Sequence, residues 1–218
     1  MIRVMVVDDH TLVRQGIQAL LEKAPDIQLA GDAQDGQEAL EFIGKTPPDV
    51  VIADVAMPRL NGIQLIRQVR KLGVGTRIVI VSMHSDEALV RQALKYGASG
   101  YLLKRSVAEE LLIAVRAAAR GDVYLSPEIS RTLVDGLFQT GHGEEGADTP
   151  LDRLSPREGQ VLQLVVEGNS NTKIGKLLDL SPKTIEKHRA AVMTKLGVGD
   201  LPGLIRMAIK HRLIFLDD

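Results

Sequence analysis

Cysteine is absent from the 218 residues, and so is tryptophan. A small secreted domain usually relies on disulfides, so the lack of cysteine favours a reducing compartment. Aromatic residues amount to only 3%, which leaves Leu, Ile, Val and Ala to fill any core. There is no run of about 18 apolar residues, so no membrane span is expected. The opening MIRVMVVDDH carries two aspartates where a signal peptide would keep its apolar run, and it is not read as one. A strong charge of one sign is missing as well: the net charge is -1. That balance conceals an asymmetry, because residues 139–150 carry -3 and residues 151–218 carry +3. A mildly basic C-terminal part is compatible with a polyanionic partner.

What is present is patterning. Apolar residues make up 44% of the chain, enough for real cores. Short β-branched runs fall at Arg3–Val7, Ile27–Ala33, Val50–Ala53, Arg77–Val81 and Gly100–Leu103. Helical periods separate and follow them, at Leu12–Lys23, Gly36–Ile43, Gly62–Lys71, Asp86–Tyr96 and Val107–Arg120. Strands alternating with helices over short connections predict βαβ units and a parallel sheet covered on both faces. VVIADV and RIVIVS are apolar almost throughout, as such strands should be. A further helix is expected over Pro127–Phe138, followed by QTGHGEEGADTPLD, which has a linker's composition. Beyond it the strand pattern stops. Four helices are expected at Pro156–Glu167, Asn171–Leu178, Pro182–Leu196 and Leu201–Arg212. Ser155-Pro156 and Ser181-Pro182 each place a capping serine before a proline suited to the first helical position. This change of period predicts two domains.

Asp8 and Asp9 stand at the end of the first expected strand, Asp54 at the end of the third, and Lys104 just after the fifth. In an open parallel sheet, ligands bind at the carboxyl ends of the strands near the switch in strand order. Crowded carboxylates repel, and Mg²⁺ relieves them by joining carboxylate to phosphate oxygens. A carboxylate placed there can attack a phosphoryl group and become an aspartyl phosphate. Lys104 would hold a phosphate oxygen as a point charge.

The segments VMVVDDH, ADVAMPRLNG, VSMHS and ASGYLLKR resemble the receiver domain of two-component response regulators, in order and spacing. The resemblance implies a doubly wound five-stranded parallel sheet of order 2-1-3-4-5 over residues 1–120. It implies Asp54 as phosphoacceptor. Asp9, Asp54 and the Ala56 carbonyl would ligate Mg²⁺, with Asp8 supporting the ion through water. Ser82 would be the switch hydroxyl, Tyr101 the switch aromatic and Lys104 the phosphate-contacting lysine. Asn61 is expected to serve in a turn, and His10 is assigned no metal role.

LSPREGQVLQLVVEGNSNTKIGKLLDLSPKTIEKHRAAVMTKLGV resembles the LuxR-type helix-turn-helix of the NarL/FixJ subfamily, an all-α four-helix domain over residues 151–218 after a linker at 121–150. In such a motif the second helix enters the major groove. Lys187 and Thr184 are candidates near bases, and Lys173, Lys183, Arg189 and Lys195 near phosphates. His188 either contacts DNA or completes packing. Together these features imply a cytoplasmic transcriptional regulator. Its partners would be a sensor histidine kinase and double-stranded promoter DNA, with a homodimer forming on phosphorylation and no membrane involved. A haloacid-dehalogenase-type phosphatase would need a second Asp where Ala56 stands, and no G-x-G-x-x-G opens a helix, so an enzyme is not expected.

Overall fold

The computed structural model describes residues 1–139 and 150–211. Most of the linker composition at 139–152, and Arg212 at the expected end of the last helix, lie outside them. The described residues divide into two compact units.

The first unit alternates β1 (Ile2–Val7), α1 (Thr11–Leu21), β2 (Ile27–Ala33), α2 (Gly36–Lys45), β3 (Val50–Asp54), α3 (Gly62–Leu72), β4 (Arg77–Ser82), α4 (Glu87–Tyr96), β5 (Gly100–Leu103) and α5 (Val107–Arg120). A two-residue strand β6 (Tyr124–Leu125) and α6 (Pro127–Gln139) follow. All strands pair in parallel, in the order β2-β1-β3-β4-β5-β6. The five expected strands keep the expected order, and the sixth is an addition. A two-residue strand has no alternation to read; it forms because Gly100 and Tyr101 of β5 offer an open edge to Tyr124 and Leu125. Ser126, just beyond, donates its backbone N–H to the Tyr101 carbonyl at 3.1 Å.

Every residue of β3 is buried, in keeping with helices on both sheet faces. The face toward α1 and α5 packs Val4, Val6, Val50, Ile52 and Val79 against Ile17, Leu21, Leu111 and Val115. Helix ends follow local chemistry. Asp35, Asn61 and Asp86 cap α2, α3 and α4 by accepting backbone N–H groups, which relieves the unpaired donors of a first turn. Asn61 thus has the turn role expected of it.

The second unit is helical: α7 (Pro156–Val166), α8 (Asn171–Leu178), α9 (Pro182–Leu196) and α10 (Leu201–Lys210), after a 3-10 turn at Pro150–Arg153. Ser155 and Ser181 are the N-caps of α7 and α9, each with proline in the first turn. The core joins Leu154, Val165, Ile174, Ile185, Val192, Leu196 and Leu204. Among the described residues no helix is long and apolar enough to cross a membrane.

Candidate functional site

β1 is flanked by β2 on one side and β3 on the other, so the strand order reverses there. Helices leave from opposite faces at such a point, which opens a crevice at the carboxyl ends of the strands. Asp8 follows the last residue of β1 and Asp54 ends β3. Both are nearly buried, 1% and 4% exposed. Lys104 follows β5 and reaches across: its Nζ lies 2.7 Å from Asp54 Oδ2 and 2.9 Å from Asp8 Oδ2. One amine therefore bridges two carboxylates that are 46 positions apart in sequence.

Burial pushes the Asp54 carboxyl above its ordinary value and the charge of Asp8 adds to this, while Lys104 holds it down in part. Burial also disfavours the Lys104 charge, but Asp54 and Asp8 outweigh it and raise that amine. The Ala56 backbone N–H donates to Asp54 Oδ1 at 3.3 Å, so the loop after β3 turns back over the carboxylate. That turn requires Gly62, whose N–H donates to the Val55 carbonyl at 3.0 Å. A Cβ at this position would stand 2.3 Å from the Asp54 carbonyl oxygen.

Asp9 and His10 complete the rim. His10 Nδ1 lies 2.9 Å from Asp9 Oδ1 and 3.2 Å from Asp8 Oδ1. Asp8, Asp9, His10 and Asp54 each present one ligand atom within 4.8 Å of the others. Oxygen donors crowded to this degree suit a hard divalent cation such as Mg²⁺. Arg14, which the sequence did not single out, donates to the Asp8 carbonyl at 2.7 Å and pairs with Asp32 at 2.8 Å. Its i, i+6 relation to Asp8 gives no signal without the turn of α1 between them.

Ser82 ends β4 and is fully buried. Its Oγ accepts the His84 N–H at 3.1 Å. Tyr101 is also fully buried, and its hydroxyl donates to the His84 carbonyl at 2.8 Å. Burial drives the Tyr101 phenol upward, so it stays a donor at neutral pH. The loop after β4 is thus held from both sides, by Ser82 and by Tyr101.

In the second unit, α8 and α9 form a helix-turn-helix. Asp179 takes the left-handed conformation (φ 52°) that ends α8. The Leu180 N–H donates to the Gly175 carbonyl at 2.8 Å, and a Cβ on Gly175 would stand 2.6 Å from the Leu180 carbonyl. On α9, Ile185, Val192 and Leu196 face inward, while Lys183 and Lys187 are exposed. Lys173 is exposed near the start of α8. Thr184 and His188 are half-buried, and Thr184 Oγ1 lies 2.8 Å from the capping Ser181 Oγ.

Two of the candidate cations are engaged within the unit. Arg189 donates to Asn171 Oδ1 at 2.7 Å, which ties α9 to the start of α8. Lys195 donates to Glu158 Oε2 at 2.7 Å. Glu158 also accepts the Ser155 N–H at 2.7 Å and belongs to the reciprocal cap of α7. Burial raises the Glu158 carboxyl, but Lys195 and the Ser155 hydrogen bonds outweigh it and hold it below its ordinary value. Both pairings join positions far apart in sequence, where spacing carries no hint of them.

Residues 4–116 match the family described as "Response regulator receiver domain", and residues 152–208 match "Bacterial regulatory proteins, luxR family". The chain belongs to the response regulators. This response regulator is 33% identical to the transcriptional regulatory protein DegU of Brevibacillus brevis, over 96% of its own length and 94% of that protein's. It is 36% identical to the transcriptional regulatory protein MctR of Rhizobium johnstonii, over 98% and 95%. Among solved structures it is similar to the Salmonella typhimurium RcsB response regulator, described for its DNA interaction, with a TM-score of 0.59, 29% identity and coverage of 94% and 96%. The response regulator therefore joins a receiver to a luxR-type DNA-binding domain, as a transcription regulator of a two-component system.

Proposed function

We propose that Asp54 accepts a phosphoryl group from the phosphohistidine of a partner sensor kinase, and that this state promotes dimerisation and promoter binding by α9. The observation that carries the reading is the Lys104 amine shared between Asp54 and Asp8 at 2.7 and 2.9 Å, in the crevice where the strand order reverses. A carboxylate oxygen of Asp54 attacks phosphorus, a P–O bond forms, and the P–N bond breaks with the imidazole as leaving group. Asp9, Asp54 and the Ala56 carbonyl would hold Mg²⁺, with Asp8 supporting it through water. Bound there, the ion neutralises the crowded acids and draws phosphoryl oxygens toward them.

This chain's own residues do the rest. Lys104 passes from the Asp54 carboxylate to a phosphoryl oxygen. The Ser82 hydroxyl can donate to another of the three new acceptor oxygens. Such a shift pulls on the loop that carries His84, and with it on the Tyr101 hydroxyl bonded to the His84 carbonyl. The result is a shift between states of one fold. The chain is then the acceptor in a phosphotransfer and not itself an enzyme.

In the proposed division, residues 1–120 form the receiver, 121–150 the linker with α6, and 151–218 the DNA-binding domain. Lys187 and Thr184 serve near base edges, and Lys173, Lys183, Arg189 and Lys195 near phosphates. His188, half-buried on the same helix, serves packing or DNA contact. The protein acts in the cytoplasm, where kinase and promoter meet. The testing experiment is incubation with acetyl phosphate and Mg²⁺, followed by intact mass, beside Asp54→Ala. A gain of one phosphoryl group that requires Asp54 is the expected result. No gain beside a working control receiver would refute the phosphoacceptor role.

A further inference from the structure

Asp9 belongs to no regular element. β1 ends at Val7 and α1 begins at Thr11, so Asp8 and Asp9 ride with His10 on the connection between them. Asp8 is fastened at each end. Its backbone N–H donates to the Ala33 carbonyl at 3.2 Å, its Oδ1 accepts the His10 N–H at 2.8 Å, and its Oδ2 meets Lys104 at 2.9 Å. Asp9 is a rim residue with a side chain 34% exposed. The direction of its carboxylate therefore depends on how firmly the backbone on either side is held.

Arg14 holds both sides. Its Nη1 donates to the Asp8 carbonyl at 2.7 Å, in the peptide unit that precedes Asp9. Its own backbone N–H donates to the His10 carbonyl at 3.0 Å, one residue beyond Asp9. The side chain is only 11% exposed, and its Nε donates to Asp32 Oδ2 at 2.8 Å. Asp32 and Ala33 end β2 and pair with Val6 and Val7 of β1. The sheet thus anchors the connection twice, through the Ala33 carbonyl and through the Asp32 carboxylate. A planar guanidinium can serve a carbonyl and a carboxylate at once, which an ammonium group cannot do with the same geometry.

On charge alone Arg14 is badly placed, because a cation beside the acid pair repels a divalent ion bound to it. Geometry is what it has to offer. We propose that Arg14, anchored by Asp32, is a positioning residue of the cation pocket: it fixes the connection that carries Asp9 and so sets the affinity for Mg²⁺. The inference rests on the reading of the acidic pocket as the Mg²⁺ site.

Charge and geometry predict opposite signs, which makes the test decisive. The full-length protein is stripped with EDTA and titrated with Mg²⁺ by calorimetry, beside Arg14→Met and Arg14→Lys. Circular dichroism checks that each variant is folded, and Arg14→Lys alone decides if Arg14→Met is not. Arg14→Met should weaken Mg²⁺ binding about tenfold, as loss of a group that orients a metal ligand does. Removal of a repelling charge would instead tighten it. Arg14→Lys keeps the charge and loses the fork, so it should also bind Mg²⁺ more weakly than wild type, by a smaller factor. A role confined to stability would leave the affinity of the folded variants where it was. Affinity unchanged or tighter in Arg14→Met, or equal to wild type in Arg14→Lys, overturns the role of Arg14 and leaves the pocket reading standing. Failure of the wild type to bind Mg²⁺ overturns both.

Discussion

Replacement of Asp54 by Asn should make the first unit more stable. At an effective dielectric of about 20, the Lys104–Asp54 pair at 2.7 Å is worth about 6 kcal/mol of gross attraction. Against it stand the loss of hydration, several kcal/mol for a buried ion, and repulsion from Asp8 in the same crevice. The direction of the Asp54 pKa, raised chiefly by burial, shows that the opposing effects win. The folded protein therefore holds the Asp54 proton more tightly than the unfolded chain. The neutral form carries no penalty below about pH 3.8, and the penalty is complete once pH has risen through the folded pKa. Asn removes the charge and leaves Lys104 its Asp8 partner at 2.9 Å. The gain at pH 7 without divalent ions should be on the order of 1–2 kcal/mol. Lys104→Met does the reverse: it strands two buried acids and should cost about 3 kcal/mol. Urea titration followed by tyrosine fluorescence is the assay, because all three tyrosines lie in the first unit and there is no tryptophan. The advantage of Asp54→Asn should shrink as pH falls toward 4. An Asn variant no more stable than wild type at pH 7, or an advantage indifferent to pH, would refute the reasoning.

Gly62→Ala pushes a Cβ to 2.3 Å from the Asp54 carbonyl, so it should cost about 1–3 kcal/mol and slow acetyl phosphate labelling. Tyr101→Phe removes the donor to the His84 carbonyl and should cost about 1 kcal/mol in the same urea assay. Glu158→Gln breaks the pair with Lys195 and weakens the α7 cap, with a loss of about 1–2 kcal/mol in the second unit by hydrogen exchange. Because the Glu158 pKa is lowered in the fold, its contribution is present above about pH 4.5 and fades as pH falls through the folded value. Lys187→Ala should lower promoter affinity by about 1–3 kcal/mol and relax base preference, whereas Lys183→Ala should weaken all sequences alike and reduce the salt slope by about 1. An unchanged salt slope for Lys183→Ala would count against its phosphate role.

Much of this was legible in the chain because strands and helices write their burial at different periods. VVIADV reads as a strand covered on both faces, and β3 is one. The serine–proline pairs announced the starts of α7 and α9 for a local reason, the unpaired N–H groups of a first turn. The acids and Lys104 were readable because a parallel sheet delivers every strand end to one side. What was not legible depends on contacts that sequence distance hides. β6 needs the edge of β5, Arg14 reaches Asp8 only after α1 has turned, and Lys195 meets Glu158 across 37 positions. The last pairing also shows that a basic residue near the end of α9 helps to hold that helix against α7.

The short strand β6 bears on how such chains can be recombined. Tyr124 and Ser126 donate to the Ser99 and Tyr101 carbonyls, and Ile129 of α6 is fully buried. A splice made at residue 120, where the regular alternation ends, would cut away these partners and leave β5 as a bare edge beside Tyr101. Unpaired edges invite association with other chains. Grafts of this receiver onto a different output should therefore carry the sequence through α6, so that the donor module keeps its own selvedge.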